Sequence, residues 1–186
     1  MEQPDRKSPH ARITGMVYLL YFVAAISAQL LIDKGFVATG NALNLLGDAL
    51  YITVTLLFYR LFRPVNQKLS LLAALFSFAG CAVTVMAQIH LDSLQLSPFI
   101  FFGPFCLLIG YLIFRSIFLP RFLGILLMLA GAAWIIYIIP GLPKMLLVPI
   151  QALGILAEAF LMLWLIAIGI KPEKWSARTP TRTPIG

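Results

Sequence analysis

The chain has 186 residues, of which 61% are hydrophobic and only 11% charged, with a mean hydropathy of +0.94. That composition excludes a water-soluble core and describes a membrane protein. The net charge of +7 and a pI near 9.7 would suit a nucleic-acid partner only if the basic residues clustered on a soluble fold, and their placement along the chain argues against one.

Residues Met1 to Arg12 are polar, contain two prolines and lead into an apolar run from Ile13 to Ile32. A cleaved signal peptide would share the basic start, with AISAQ as a passable cleavage site, but some twenty apolar residues suit an uncleaved spanning helix. Asp33, Lys34 and Gly35 end that run. The second span is read from Gly40 to Phe62, and its residues Asn41, Asn44, Asp48, Tyr51, Thr55 and Tyr59 step by three or four, which puts them on one helical stripe that lipid would not favour. After Arg63, Pro64 and Asn66, a third span runs from Leu69 to about Ile89. Its small or polar residues Ala73, Ser77, Cys81, Thr84 and Gln88 keep the same step, as a close helix contact or a polar cavity wall would require.

His90, Asp92, Ser93 and Gln95 form a short polar link. Ser97-Pro98 has the chemistry of an N-cap followed by a first-turn proline, so the fourth span is expected from Pro98 to about Phe114, kinked by Gly103-Pro104. Pro120 and Arg121 turn the chain into a fifth span, Phe122 to Ile139, which Pro140 and Pro143 stop. The sixth is placed from Pro149 to Pro172 on the ground that proline suits a first turn. The organisation expected is thus a cytoplasmic segment 1–12, a six-helix transmembrane domain 13–172 and a proline-rich, disordered tail 173–186.

Twelve of the fourteen Lys and Arg residues fall at the N-terminus, in the links after spans two and four, and at the C-terminus; only Lys34 and Lys144 lie on the other side. The positive-inside rule then predicts an all-α, polytopic bundle in the bacterial inner membrane with both termini in the cytoplasm. The same distribution accounts for the high pI without nucleic acid. Arg115 and Arg121 are read as snorkelling to lipid headgroups, Trp175 as an interfacial anchor, and Trp134 and Trp164 as packing residues. Membrane lipid is the expected partner, and the sequence sets no oligomeric state.

Two acids stand well inside apolar runs, Asp48 and Glu158. A charged side chain at mid-bilayer costs about 2.5 kcal/mol or more to insert, so such a carboxyl is expected to be neutral, partnered or facing water. Asp48 stands about eight residues below Gly40 and Glu158 about nine below Pro149, equal depths of roughly 12 to 14 Å at 1.5 Å per residue, so the two carboxyls are expected to share a proton if their helices face each other. Asn44, Gln151 and Gln88 would complete a lining in the outer half of the bundle. Cys81 and Cys106 lack CxxC spacing and are read as small packing residues. No nucleophile elbow, Walker, HExxH or dinucleotide fingerprint occurs, and neither a cofactor nor a metal site is indicated.

Four stretches carry a resemblance: ARITGMVYLLYFVAA from Ala11, LFRPVNQKLSLLAALF from Leu61, FFGPFCLLIGYLIFRSIFLPRFLGILL from Phe101 and LAEAFLMLWLIAIG from Leu156. In these the chain resembles the small bacterial membrane proteins grouped as domain of unknown function 4386. The resemblance implies an acid at Glu158; it also implies a histidine where this chain has Phe105 and an arginine where it has Ser77, so a polar site built on all three would be incomplete here. No activity comes with it. The residues themselves point first to a binding or transport bundle with an outer-half pocket around Asp48 and Glu158 for a small lipophilic or cationic molecule. The alternatives are a structural or partner-binding membrane protein without ligand, and an intramembrane lipid or isoprenoid enzyme with Glu158 or Asp48 as general acid.

Overall fold

The computed structural model of the chain describes residues 9–89, 96–139 and 144–170 together with Trp175. The links around His90 to Gln95 and Pro140 to Pro143, and the tail from Ser176, lie outside the described residues. Among the described residues there are six helices and no strand: α1 (Pro9–Asp33), α2 (Val37–Phe62), α3 (Gln67–Gln88), α4 (Phe99–Arg115), α5 (Arg121–Tyr137) and α6 (Lys144–Ala167). Four are long and apolar enough to cross a membrane, Ala11–Asp33, Val37–Phe62, Gln67–Gln88 and Met145–Ala167, while Phe99–Arg115 and Arg121–Ile136 are shorter apolar helices.

Local chemistry sets the helix ends. Gly35 takes a left-handed φ of +88° after α1, and the Phe36 N–H reaches back to the Leu31 carbonyl at 2.9 Å, so the last turn of α1 is closed by a residue without a Cβ penalty. Asn66 caps α3, its side chain accepting from the Leu69 N–H at 3.0 Å. Two starts differ from the sequence expectation. α4 begins at Phe99 with Pro98 itself as the cap residue, and α6 begins at Lys144, so Pro149 stands inside it. The reason is positional: Pro104 and Pro149 are each the sixth residue of their helix, just past the turn whose N–H groups have no partner. Each therefore removes one helical bond, to the carbonyls of Ile100 and Met145, and leaves the rest of the helix able to form.

The helices pack as a ring in chain order, each against the next, and α6 closes it against α1. Close approach is strongest where glycines face each other. In the α4–α5 seam Gly103 meets Gly131 and Gly110 meets Gly124, two pairs seven residues apart on each helix, and a Cβ on Gly124 would lie 2.6 Å from the Gly110 carbonyl oxygen. Small residues admit this backbone contact, which supplies dispersion and Cα–H···O contacts where apolar surroundings give helices little hydrophobic reason to associate.

The polar stripes face inward as their period requires: Tyr51 and Thr55 on α2 and Ala73, Ser77 and Cys81 on α3 are buried, and the Thr55 and Ser77 hydroxyls bond each other at 2.6 Å. Outward, Leu20, Val23, Leu75, Leu129 and Leu163 are each more than half exposed, an apolar girdle that water would not tolerate on a monomer. The core in the half that carries the N-terminus of α1 is built on Phe58, Phe62, Ile109, Leu112 and Leu165, all almost wholly buried. Toward the opposite end, where α1 leads into α2 and α3 into α4, it hollows.

Candidate functional site

A cavity of about 530 Å³ occupies that hollow end. Phe99 and Phe102 from α4 and Trp134 from α5 form one wall, Tyr21 and Phe22 from α1 and Tyr51 from α2 another, and Thr84 and Glu158 bring polar atoms to it. Its exposed members, Ile26, Gln29 and Leu30 on α1 and Ile155 on α6, set the mouth between those two helices. α1 and α6 meet closely further along, where a Cβ on Gly15 would come within 2.7 Å of the Ile166 side chain. A second cavity, about 300 Å³, lies by the α4–α5 link and has no ionisable side chain in its wall.

Glu158 reaches the centre of the ring from α6. Tyr18 of α1 donates its hydroxyl to Oε2 at 2.5 Å, and the Cys106 thiol of α4 lies 3.7 Å from Oε1. Each oxygen is thus addressed from a different helix, and the carboxyl is held in one orientation. Tyr18 is 1% exposed and its ring is wedged among Phe22, Tyr51 and Phe58, so its hydroxyl is fixed by packing as well as by the bond. Glycine shapes the opposite wall: any Cβ on Gly154 would run into the Trp134 ring at Cζ2, so only glycine leaves room for the indole, which stacks on Phe99 at 4.4 Å.

Asp48 has its own partners. Thr84 donates to Oδ1 at 3.0 Å and Gln88 Nε2 to Oδ2 at 2.8 Å, both from α3. Gln88 Oε1 is buried and has no hydrogen-bond partner among the described residues. Through Thr84, which bonds Asp48 and lines the cavity, this second cluster borders the first. The shared proton expected of Asp48 and Glu158 is not what holds either acid. In the ring α1 stands between α2 and α6, and because α2 begins at Val37 and α6 at Lys144 rather than at Gly40 and Pro149, the equal depth expected of the two acids does not follow either. Tyr21, on that intervening helix, lines the cavity together with Glu158 and packs against Tyr51 at 4.7 Å. Asn44 and Gln151 are half-buried on α2 and α6 but are not in the cavity wall.

The sequence reading missed Tyr18, Tyr21 and the role of Cys106. Cys106 packs, fully buried, as expected, but its sulfur also faces the acid. The signal for Tyr18 was a hydroxyl in the middle of an apolar run, far from either interface, where it needs a partner. Every Lys and Arg within the six helices stands in a first or last turn. Arg121 lies over the Phe114 ring at 5.7 Å, and Trp175 anchors to the end of α2 through a 3.1 Å bond to the Leu61 carbonyl.

Fold and site together define an all-helical protein with helices apolar enough to cross a membrane and an acid-bearing interior cavity. Residues 83–169 match the family described as domain of unknown function (DUF4386), so the resemblance read from the sequence is shown over that stretch. It contributes Thr84, Gln88, Cys106 and Glu158, while Tyr18 and Asp48 precede it. An uncharacterized protein of Archaeoglobus fulgidus is 34% identical over 91 residues, which cover 46% of this chain and 56% of that relative. The chain therefore spans about half the length of the curated relative it matches. No solved structure matches the chain.

Proposed function

We propose that the protein is a six-span bundle of the bacterial inner membrane, with both termini cytoplasmic, that binds or transports a small lipophilic or cationic molecule in the outer-half cavity beside Glu158. The 17 residues of α4 and of α5 lie at the lower bound for a span, and the split of basic residues supports the orientation. One observation carries the functional reading: an interior carboxyl stands in the wall of a largely aromatic and aliphatic cavity of ligand size. Asp48, held by Thr84 and Gln88, supports that wall from behind, and Asn44 and Gln151 contribute polarity nearer the outer end.

A second reading has its own support. All four oxygens of the two acids are addressed by donors from other helices, as they would be if they served only to fix helix register. Native mass spectrometry of the purified protein, followed by extraction and identification of what it carries, separates the two. Binding predicts a defined small molecule in stoichiometric amount, displaced when Ala25→Phe fills the cavity. Bulk lipid alone, identical in both proteins, would favour the register role.

A further inference from the structure

The wall of the cavity is unusually one-sided in its chemistry. Six aromatic rings face it, from Tyr21, Phe22, Tyr51, Phe99, Phe102 and Trp134, and the sole ionisable group among them besides the tyrosines is Glu158. An ionised carboxylate offers about four acceptor positions. Tyr18 and Cys106 address one on each oxygen from behind, which leaves acceptor capacity on the cavity side with its direction already set. Aromatic faces carry negative quadrupole potential and attract a cation within about 6 Å of the ring centre. Among the described residues the interior shows no built-in counter-ion, since the Lys and Arg of the helices stand in terminal turns. An anionic ligand would meet a like charge and no cationic side chain. A hydrated metal ion would meet rings where it needs oxygen ligands. A neutral lipophile would fit the rings but would not use the one costly group in the wall.

We infer that the ligand of this cavity is a hydrophobic organic cation, a quaternary or protonated amine or its phosphonium equivalent, held with its charge between the Glu158 carboxylate and the aromatic walls. The inference rests on the reading of the cavity as a binding site and adds the sign and class of what it takes. The mouth carries the apolar Ile26, Leu30 and Ile155 beside one polar side chain, Gln29, so a cation entering there is matched by apolar surface of its own.

The test uses three probes on the full chain in detergent or nanodiscs: tetraphenylphosphonium, tetraphenylborate, which has the same shape and the opposite charge, and neutral triphenylphosphine oxide. Binding is measured by equilibrium dialysis against wild type, Glu158→Gln and Phe102→Leu. The inference predicts saturable binding of the phosphonium at least about tenfold tighter than either other probe, and a loss of about tenfold or more in Glu158→Gln that the neutral probe does not show. Phe102→Leu, which keeps the carboxylate, should weaken the phosphonium by roughly two- to thirty-fold and so keeps the test valid if Glu158→Gln fails to fold. Equal binding of all three probes, unchanged in both variants, would overturn the cation assignment and leave the binding site standing. Saturable binding of none would overturn both.

Discussion

The α4–α5 seam gives a sharp packing prediction, because the same substitution can be made at two glycines with opposite surroundings. In Gly124→Ala the new Cβ would lie 2.6 Å from the Gly110 oxygen and 2.7 Å from the Phe114 nitrogen, both backbone atoms that no rotamer can move. Side-chain carbons do not approach closer than about 3.0 Å, so the helices must part by about 0.4 Å, the difference between 3.0 and 2.6. Overpacking of this kind costs about 1–3 kcal/mol, against a gain of up to ~1 kcal/mol from replacing glycine by alanine in a helix. The net expectation is a loss of about 1–2 kcal/mol, or roughly 2–8 °C in Tm for a chain of this size. Gly47→Ala is the matched control: its Cβ would meet Ala24 and Tyr21 at 3.9 Å, an ordinary contact, so the helix-propensity gain is kept and Tm should hold or rise. Thermal unfolding of the three proteins in one detergent, followed by tryptophan fluorescence, makes the comparison. Equal Tm shifts for the two variants would refute the reasoning.

Further predictions concern the acids, the cavity wall and the topology. Glu158→Leu strands the buried Tyr18 hydroxyl at a cost of about 1–3 kcal/mol, whereas Glu158→Gln keeps an acceptor for it, so thermal melts should rank Gln well above Leu. Asp48→Asn and Glu158→Gln should be additive in stability to within about 0.5 kcal/mol, because their carboxyls use separate partners; a larger coupling in a double-mutant cycle would show a direct link. Gly154→Ala drives a carbon into Trp134, and should reduce uptake of a cavity probe more than it lowers expression. Reporter fusions at Gly186 and within the link from Asp92 to Gln95 should report cytoplasmic and external sites respectively. A cytoplasmic signal from the link would exclude the proposed topology.

The two polar stripes could be read from sequence because a step of three or four survives in any helix, and Thr55 and Ser77 meet where those stripes cross. The glycine pairs were also visible in principle, since Gly103 and Gly110 repeat the seven-residue step of Gly124 and Gly131. What sequence could not supply was azimuth. Depth along a helix follows from rise per residue only once the helix start is known, and with α2 starting at Val37 and α6 at Lys144 the equal depth expected of Asp48 and Glu158 does not follow; which helix stands between them depends on the order of the ring. The bond from Tyr18 to Glu158 joins residues 140 apart, and no local pattern links them. Pro149 misled for a related reason: a proline at the sixth position loses a single bond, and the apolar residues Met145 to Val148 are enough to carry the helix past it.

The central claim is that the cavity beside Glu158 is a ligand site, and an experimental structure of the protein extracted with its native lipid tests it most directly. The account predicts non-protein density between Glu158 and the rings of Phe99 and Phe102, in contact with the carboxyl, with Tyr18 and Cys106 still behind it. A closed bundle in which Phe102 and Trp134 fill the space, and Glu158 meets only Tyr18 and Cys106, would contradict it.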